Sequence, residues 1–238
     1  MNVIQHALAV ALLAAPALAA AQAAMLAPLE SGAAPPAAWR NVSLPAAKGI
    51  PPTKFSIAAA DGERALEVRT QGSYGNLVHT WQGPARALQW RWRLQAGLTG
   101  ADLRSKQGDD VALKVCLLFD MPLSAVPFGE RASLALARAV SGEALPSATL
   151  CYVWDTSLPP GTLLPNAFSA RVRYLVLDSG PPRAGWETHR RDVGADFLRA
   201  FGNESSQVPA VTAVAVGGDA DNTGGASLGY IRLLTLEP

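Results

Sequence analysis

Between two apolar runs near the C-terminus the chain reads Gly217-Gly218-Asp219-Ala220-Asp221-Asn222-Thr223-Gly224-Gly225. Two carboxylates and an amide within four positions can present hard oxygen ligands to calcium. They can equally accept hydrogen bonds from the hydroxyls of a bound sugar. A third reading needs no ligand, because Asp, Asn and Gly favour tight turns for local backbone reasons. The spacing is not that of an EF-hand loop, so calcium at Asp219, Asp221 and Asn222 rests on residue type alone.

A second acidic point is Gly108-Asp109-Asp110, just ahead of an apolar run. Adjacent carboxylates repel, so the pair calls for a cation, an arginine partner, a hydrogen-bonding network or a plain turn that opens a strand. Tyr152, Trp154 and Trp186 would serve as sugar-stacking platforms if exposed, although large aromatics in strands usually belong to the core. Arg91, Arg93, Lys114, Arg171 and Arg173 fall on the polar sides of their segments, and such a row is more often salt-bridged than ligand-binding.

Enzyme signatures are largely missing. There is no GxSxG elbow, HExxH, Walker motif or strand-following GxGxxG. Of three histidines, His6 falls in the N-terminal segment, leaving His79 and His189. A glycoside hydrolase needs only two carboxylates about 5 to 9.5 Å apart. Asp109, Asp110, Asp120, Asp155, Glu187, Asp219 and Asp221 supply candidates for that alternative. On balance the residues point away from catalysis and toward binding, with a structural role in the envelope as the remaining option.

Strands must position these groups. In Ala87 to Leu94 the residues Leu88, Trp90, Trp92 and Leu94 share one face, while Gln89, Arg91 and Arg93 share the other, as a half-buried strand requires. Val111 to Phe119 alternates likewise, with Ala112, Lys114, Cys116 and Leu118 on its mixed side. Further strands are expected at 54–58, 65–70, 77–81, 150–154, 171–177, 185–190, 211–216 and 228–236. Short strands separated by Gly, Pro, Asn and Asp clusters predict an all-β sandwich or barrel. Two helical insertions are expected, over 128–140 and 195–201, the second with Gly202 as its C′ residue.

The chain has 238 residues, 20 Lys+Arg against 19 Asp+Glu, and 49% hydrophobic residues. That balance excludes a disordered chain and provides no basic excess for nucleic acid. Residues 1–38 hold 16 of the 44 alanines and no Lys or Arg. The apolar run Ala7 to Ala15 and the small residues around Ala21 fit a signal peptide over 1–21, which predicts a periplasmic or secreted protein. An Ala/Pro-rich flexible arm would follow over 22–38, then a single domain over 39–238. After the leader no run is long enough to span a membrane as a helix. Cys116 and Cys151 suit an exported protein as a disulfide, which would close a loop of about 35 residues; two buried thiols are the other option.

Together the strings GDDVALKVCLLFD, LCYVWD, RVRYLVLDSG, GWETHRRDVGADFLRAFG and VTAVAVGGDADNTGGASLGYIRLL resemble the DUF3047 family of bacterial proteins of unknown function, in order from about Trp39 to the C-terminus. The resemblance implies a jelly-roll-like antiparallel β-sandwich akin to galactose-binding and carbohydrate-binding modules. It brings no substrate, cofactor or catalytic residue. What it transfers is a set of motif positions for ligand binding: Asp109, Asp110, Tyr152, Trp154, Trp186, Glu187, Arg190, Asp219, Asp221 and Asn222. Lys114 stands where arginine is common in the family pattern, and the two cysteines are not family features. The expectation is an exported module binding a glycan or another envelope component, with no cofactor unless calcium.

Overall fold

The computed structural model describes residues 25–141 and 145–238, so the expected leader over 1–21 lies outside the described residues. The chain forms β1 (Trp39–Val42), β2 (Lys54–Ala60), β3 (Glu63–Gln71), β4 (Tyr74–Gly83), β5 (Ala87–Ala96) and β6 (Leu113–Phe119). Helix α1 (Phe128–Ser141) is followed by β7 (Ala148–Asp155), β8 (Leu163–Pro165), β9 (Val172–Ser179) and β10 (Glu187–Asp192). Helix α2 (Val193–Phe201), β11 (Val211–Asp219) and β12 (Ala226–Glu237) complete it.

Two sheets face each other as a β-sandwich. One has seven strands in the order β1-β4-β11-β6-β7-β9-β8, the other five in the order β10-β5-β12-β3-β2. The neighbours pair antiparallel with one exception, because β7 and β9 run parallel. The chain leaves β7, passes beyond the β9 position to form the edge strand β8, and turns back to make β9. The sandwich and its helical insertions are those expected; the parallel pair departs from a purely antiparallel fold. β1 and β8 were not legible, since Trp39-Arg40-Asn41-Val42 lacks alternation and Leu163-Leu164-Pro165 is too short.

Alternation decides which side chains fill the interior. Leu88, Trp90, Trp92 and Leu94 of β5 meet Leu113, Val115, Leu117 and Phe119 of β6 and Leu150, Tyr152 and Trp154 of β7 in one cluster between the sheets. Trp90 lies 5.4 Å from Trp92 and 5.2 Å from Tyr152, centroid to centroid. At about 25 cal/mol per Å2 of apolar surface removed from water, these aromatics dominate the interior. Val111, expected to share that face, precedes β6 and joins a second cluster on the outer side of the seven-stranded sheet. That cluster holds Leu103, Cys116, Cys151, Val153, Tyr174, Val176 and Ala215. Both faces of this sheet are therefore apolar in part, and β7 is buried along its whole length.

Helix α2 starts where the Asp192 side chain accepts a hydrogen bond from Ala195 N, 2.9 Å away, and it buries Phe197 and Phe201. Gly202 is not in the left-handed conformation expected of a C′ residue: its φ is −62°, and a Cβ there would lie 2.3 Å from Leu198 O. Its role is close backbone approach. The segment expected to be a loose arm is anchored by Leu26 and Leu29, which join the main cluster, while Met25 is exposed. Ala27 O accepts from Trp39 Nε1 at 2.8 Å. Among the described residues no helix is long and apolar enough to cross a membrane.

Candidate functional site

The outer face of the seven-stranded sheet carries a cleft of about 590 Å3, within the usual range for small-ligand sites. Its floor is made by the outward residues of adjacent strands: Val78 of β4, Ala215 of β11, Cys116 and Leu118 of β6, and Cys151 of β7. Cys116 and Cys151 stand opposite each other in the β6–β7 register and form a disulfide with an S–S distance of 2.06 Å. Val42, Leu44 and Ile50 wall one side; Leu145, Pro146 and Phe168 contribute further apolar surface. A smaller hollow of about 290 Å3 beside Leu94, Leu98 and Trp154 contains no buried polar atom lacking a partner among the described residues.

One end of the cleft is polar, and the two acidic points of the sequence meet there. Asp219 ends β11, where Gly217 and Gly218 let neighbouring backbones close in. A Cβ on Gly217 would lie 2.3 Å from Gly75 O, and one on Gly218 2.6 Å from Ala112 O. The Asp219 carboxylate accepts from Val111 N at 2.9 Å and from Lys114 Nζ at 2.8 Å, both side chains being buried. Burial works against the Lys114 charge, but Asp219, Tyr74 and Asp109 outweigh it and hold the ammonium's pKa well above the ordinary lysine value. Lys114 also lies 4.9 Å from the Tyr74 ring centre. This pair is internally satisfied.

Asp110 is satisfied as well. Its carboxylate accepts from the backbone N–H groups of Asn222 and Thr223 at 3.1 and 2.7 Å, from the Thr223 hydroxyl at 2.6 Å and from Asn222 Nδ2 at 3.1 Å. Adjacent carboxylates are thus retained because Asp110 fastens the turn after β11, with Gly224 at φ +66° completing it.

Asp109 and Asp221 differ. Asp109 Oδ2 accepts from Asn166 Nδ2, which also donates to Tyr174 Oη at 2.9 Å, yet Asp109 Oδ1 is buried without a partner. Asp221 Oδ1 is likewise buried and unpaired. Burial first, then the negative charge of Asp219, push the Asp109 pKa up to about 6, against the opposing pull of the Asn166 amide, the Lys114 charge and the Tyr174 hydroxyl. Burial, Asp219 and Asp110 likewise raise Asp221 to about 6. Unpaired buried acceptors are uncommon in native folds and cost about 1–3 kcal/mol each, so a pair of them lining one cleft marks a place for donors.

The other expected residues lie elsewhere. Tyr152 and Trp154 are 0% and 2% exposed, so neither can stack on a sugar. Tyr152 Oη donates to Asp196 at 2.9 Å and Trp154 Nε1 to Gly180 O at 3.1 Å. Trp186 lies on the other sheet's outer side between the Arg91 and Arg232 guanidiniums, 5.7 and 5.6 Å from its ring centre. Glu187 pairs with Arg183 at 3.2 Å, and Arg190 with Glu237. The basic row is divided between both sheets and salt-bridged throughout: Lys114 to Asp219, Arg171 and Arg173 to Glu204, Arg91 to Glu63, Arg93 to Asp61. Asp155 caps Ser157 N at 2.7 Å. Asn166, Tyr174, Tyr74 and Phe168 line the cleft without having stood out in the sequence.

Of the three residues expected as calcium ligands, Asp219 has both oxygens engaged, one by the Lys114 ammonium. Among the described residues no group of three or more His, Cys, Asp and Glu side chains is arranged to hold a metal ion.

The molecule is therefore a two-sheet β-sandwich with a single-ended polar cleft on the outside of its larger sheet. The family model described as a protein of unknown function (DUF3047) matches residues 37–234, and the chain belongs to that family. A search of the curated proteins finds no match. Among solved structures, the chain is similar to a mutant of CBM29-2, a family 29 carbohydrate-binding module, at 10% identity and a TM-score of 0.37. The similarity covers 90% of this chain and 92% of that one.

Proposed function

We propose that this protein is a non-catalytic binding module, exported by its N-terminal leader, and that its ligand is a small envelope component held in the cleft of the seven-stranded sheet. One observation carries the reading. Asp109 and Asp221 line the same cleft of about 590 Å3, and one carboxylate oxygen of each, Oδ1, is buried without a hydrogen-bond partner. A ligand with hydrogen-bond donors removes the cost of leaving them bare.

The apolar walls and the disulfide floor favour a ligand with an apolar body; Tyr152 and Trp154 are inside the sandwich, and the aromatic residue exposed at the cleft is Phe168. Binding also accounts better than hydrolysis for the carboxylates. A glycoside hydrolase separates the pKa values of its two acids so that one donates a proton while the other stays ionised. Asp109 and Asp221 are instead raised alike, to about 6.

The test is displacement of an uncharged apolar fluorophore, N-phenyl-1-naphthylamine, compared between wild type and the cleft-filling variants Val78→Trp and Leu118→Trp. Both residues line the floor without being fully buried. Saturable binding to wild type, lost in either variant at unchanged far-ultraviolet circular dichroism, is the expected result. Equal binding by all three proteins, or none by wild type, would remove the cleft from consideration. A parallel calorimetric titration with soluble glycans distinguishes a sugar ligand, which would bind wild type without displacing the fluorophore.

A further inference from the structure

The charge arrangement at the polar end of the cleft narrows the ligand further, and the narrowing rests on the cleft being the binding site. Four carboxylates meet there: Asp109, Asp110, Asp219 and Asp221. Lys114 is committed to Asp219 at 2.8 Å, and Asp110 to the turn through four hydrogen bonds. Asp109, 4% exposed, keeps one oxygen unpaired, as does the half-buried Asp221. The groups that face Asp109 are Asp219, Lys114, Tyr174 and Asn166. Those that face Asp221 are Asp219, Asp110 and again Lys114. Lys48 lines the cleft as an exposed side chain, and the exposed Lys106 stacks 5.5 Å from the Phe168 ring centre at the rim. Neither is hydrogen-bonded to the two unpaired oxygens. The polar end therefore holds an excess of negative charge and two carboxylate oxygens without a hydrogen-bond partner, beyond which the lining is mostly apolar.

From this geometry we infer that the cleft takes an amphiphile with a primary ammonium head, its N–H groups donating to the Asp109 and Asp221 carboxylates and its aliphatic body lying along Val78, Leu118, Val172 and Ala215. A hydroxyl head would satisfy the acceptors but leave the excess charge buried. An ammonium does both, and each charge-assisted hydrogen bond is about twice as strong as a neutral one. An anionic head would be repelled. A quaternary ammonium carries the charge without donors and is intermediate.

The proton balance sets the pH dependence. Both carboxylates have pKa values raised to about 6, so they are ionised above that pH and neutral below it. An alkylammonium, with a pKa near that of lysine at about 10.4, stays charged throughout. Its advantage over a neutral head is full above about pH 7 and disappears as the pH falls through about 6 toward 4.5.

Octylamine, octanol, octyltrimethylammonium and octyl sulfate, each below its micelle concentration, provide the test as competitors of N-phenyl-1-naphthylamine on the full chain. Octylamine is expected to bind about tenfold or more tighter than octanol near pH 7.5, falling to less than about threefold near pH 4.5, a change worth about one charge-assisted hydrogen bond. Asp109→Asn and Asp221→Asn should each reduce octylamine affinity by about tenfold and octanol affinity by a clearly smaller factor, at unchanged far-ultraviolet circular dichroism. Equal affinities for octylamine and octanol near pH 7.5, or tighter binding of octyl sulfate, would overturn the ammonium assignment and leave the cleft as a binding site. Failure of all four competitors with intact fluorophore binding would overturn the head-group assignment and the amphiphile class together. Absence of fluorophore binding would overturn both readings.

Discussion

Asp109→Asn should make the ligand-free protein more stable near neutral pH and leave it unchanged in acid. The substitution keeps a carbonyl oxygen for Asn166 Nδ2 and the shape of the side chain, and removes a charge. Raising a carboxylate from 3.8 to about 6 corresponds to roughly 3 kcal/mol at about 1.36 kcal/mol per pH unit. Water entering the open cleft screens part of this, leaving about 2 kcal/mol. The sign follows from which state holds the proton. The folded protein binds it more tightly than the unfolded chain, so the penalty is absent below about pH 4, grows between 4 and 6, and is complete above 6. For a domain of this size about 2 kcal/mol corresponds to roughly 4–8 °C in Tm. Differential scanning calorimetry from about pH 4 to 8 should show the two melting curves coinciding in acid and separating above about pH 6, with the variant the more stable. A variant less stable than wild type near pH 7.5, or a pH-independent difference, would refute the claim that Asp109 carries an uncompensated buried charge.

Other consequences follow from groups that are satisfied. Lys114→Met strands the Asp219 carboxylate, so urea denaturation should report a loss of about 3–5 kcal/mol, largely restored by adding Asp219→Leu. Replacing both cysteines with serine opens the loop that the disulfide closes over a separation of 35 residues, and should lower urea stability by about 3–4 kcal/mol. Asp110→Ala removes the acceptor for four hydrogen bonds to Asn222 and Thr223, and amide hydrogen exchange at those two residues should accelerate about tenfold or more while β5 is unaffected. Tyr152→Phe should cost about 1–2 kcal/mol through the lost bond to Asp196 and leave fluorophore affinity unchanged, because that hydroxyl is inside the sandwich.

The strands were legible because a half-buried sheet imposes a two-residue period on its sequence. That period also held the answer for Tyr152 and Trp154, which share a face with Leu150, whereas Thr149 and Cys151 point the other way to the cleft. Residue type alone left both open, as sugar platforms if exposed or as core; position along the strand decides for the core. Asp109, Asp110, Asp219, Asp221 and Asn222 were each identifiable as polar points at strand ends, but their meeting was not. Hydrogen bonds such as Asn222 N to Asp110 span 112 residues and exist because β11 pairs with β6. Nor could local pattern separate the committed carboxylates from the free ones. That distinction depends on Lys114, which reads in the sequence as one more outward base. Asn166 and Phe168 lie in a connection without periodicity, and only the return of β9 beside β7 brings them over the cleft.

Amide chemical-shift mapping of the 15N-labelled full chain during titration with octylamine near pH 7.5 locates the ligand on the molecule. Shifts concentrated at Val78, Asn166, Tyr174, Ala215 and Asn222, with none around Trp186 on the opposite sheet, are what the cleft predicts. Shifts centred on Trp186 and the five-stranded sheet, or no shifts at saturating octylamine, would contradict it.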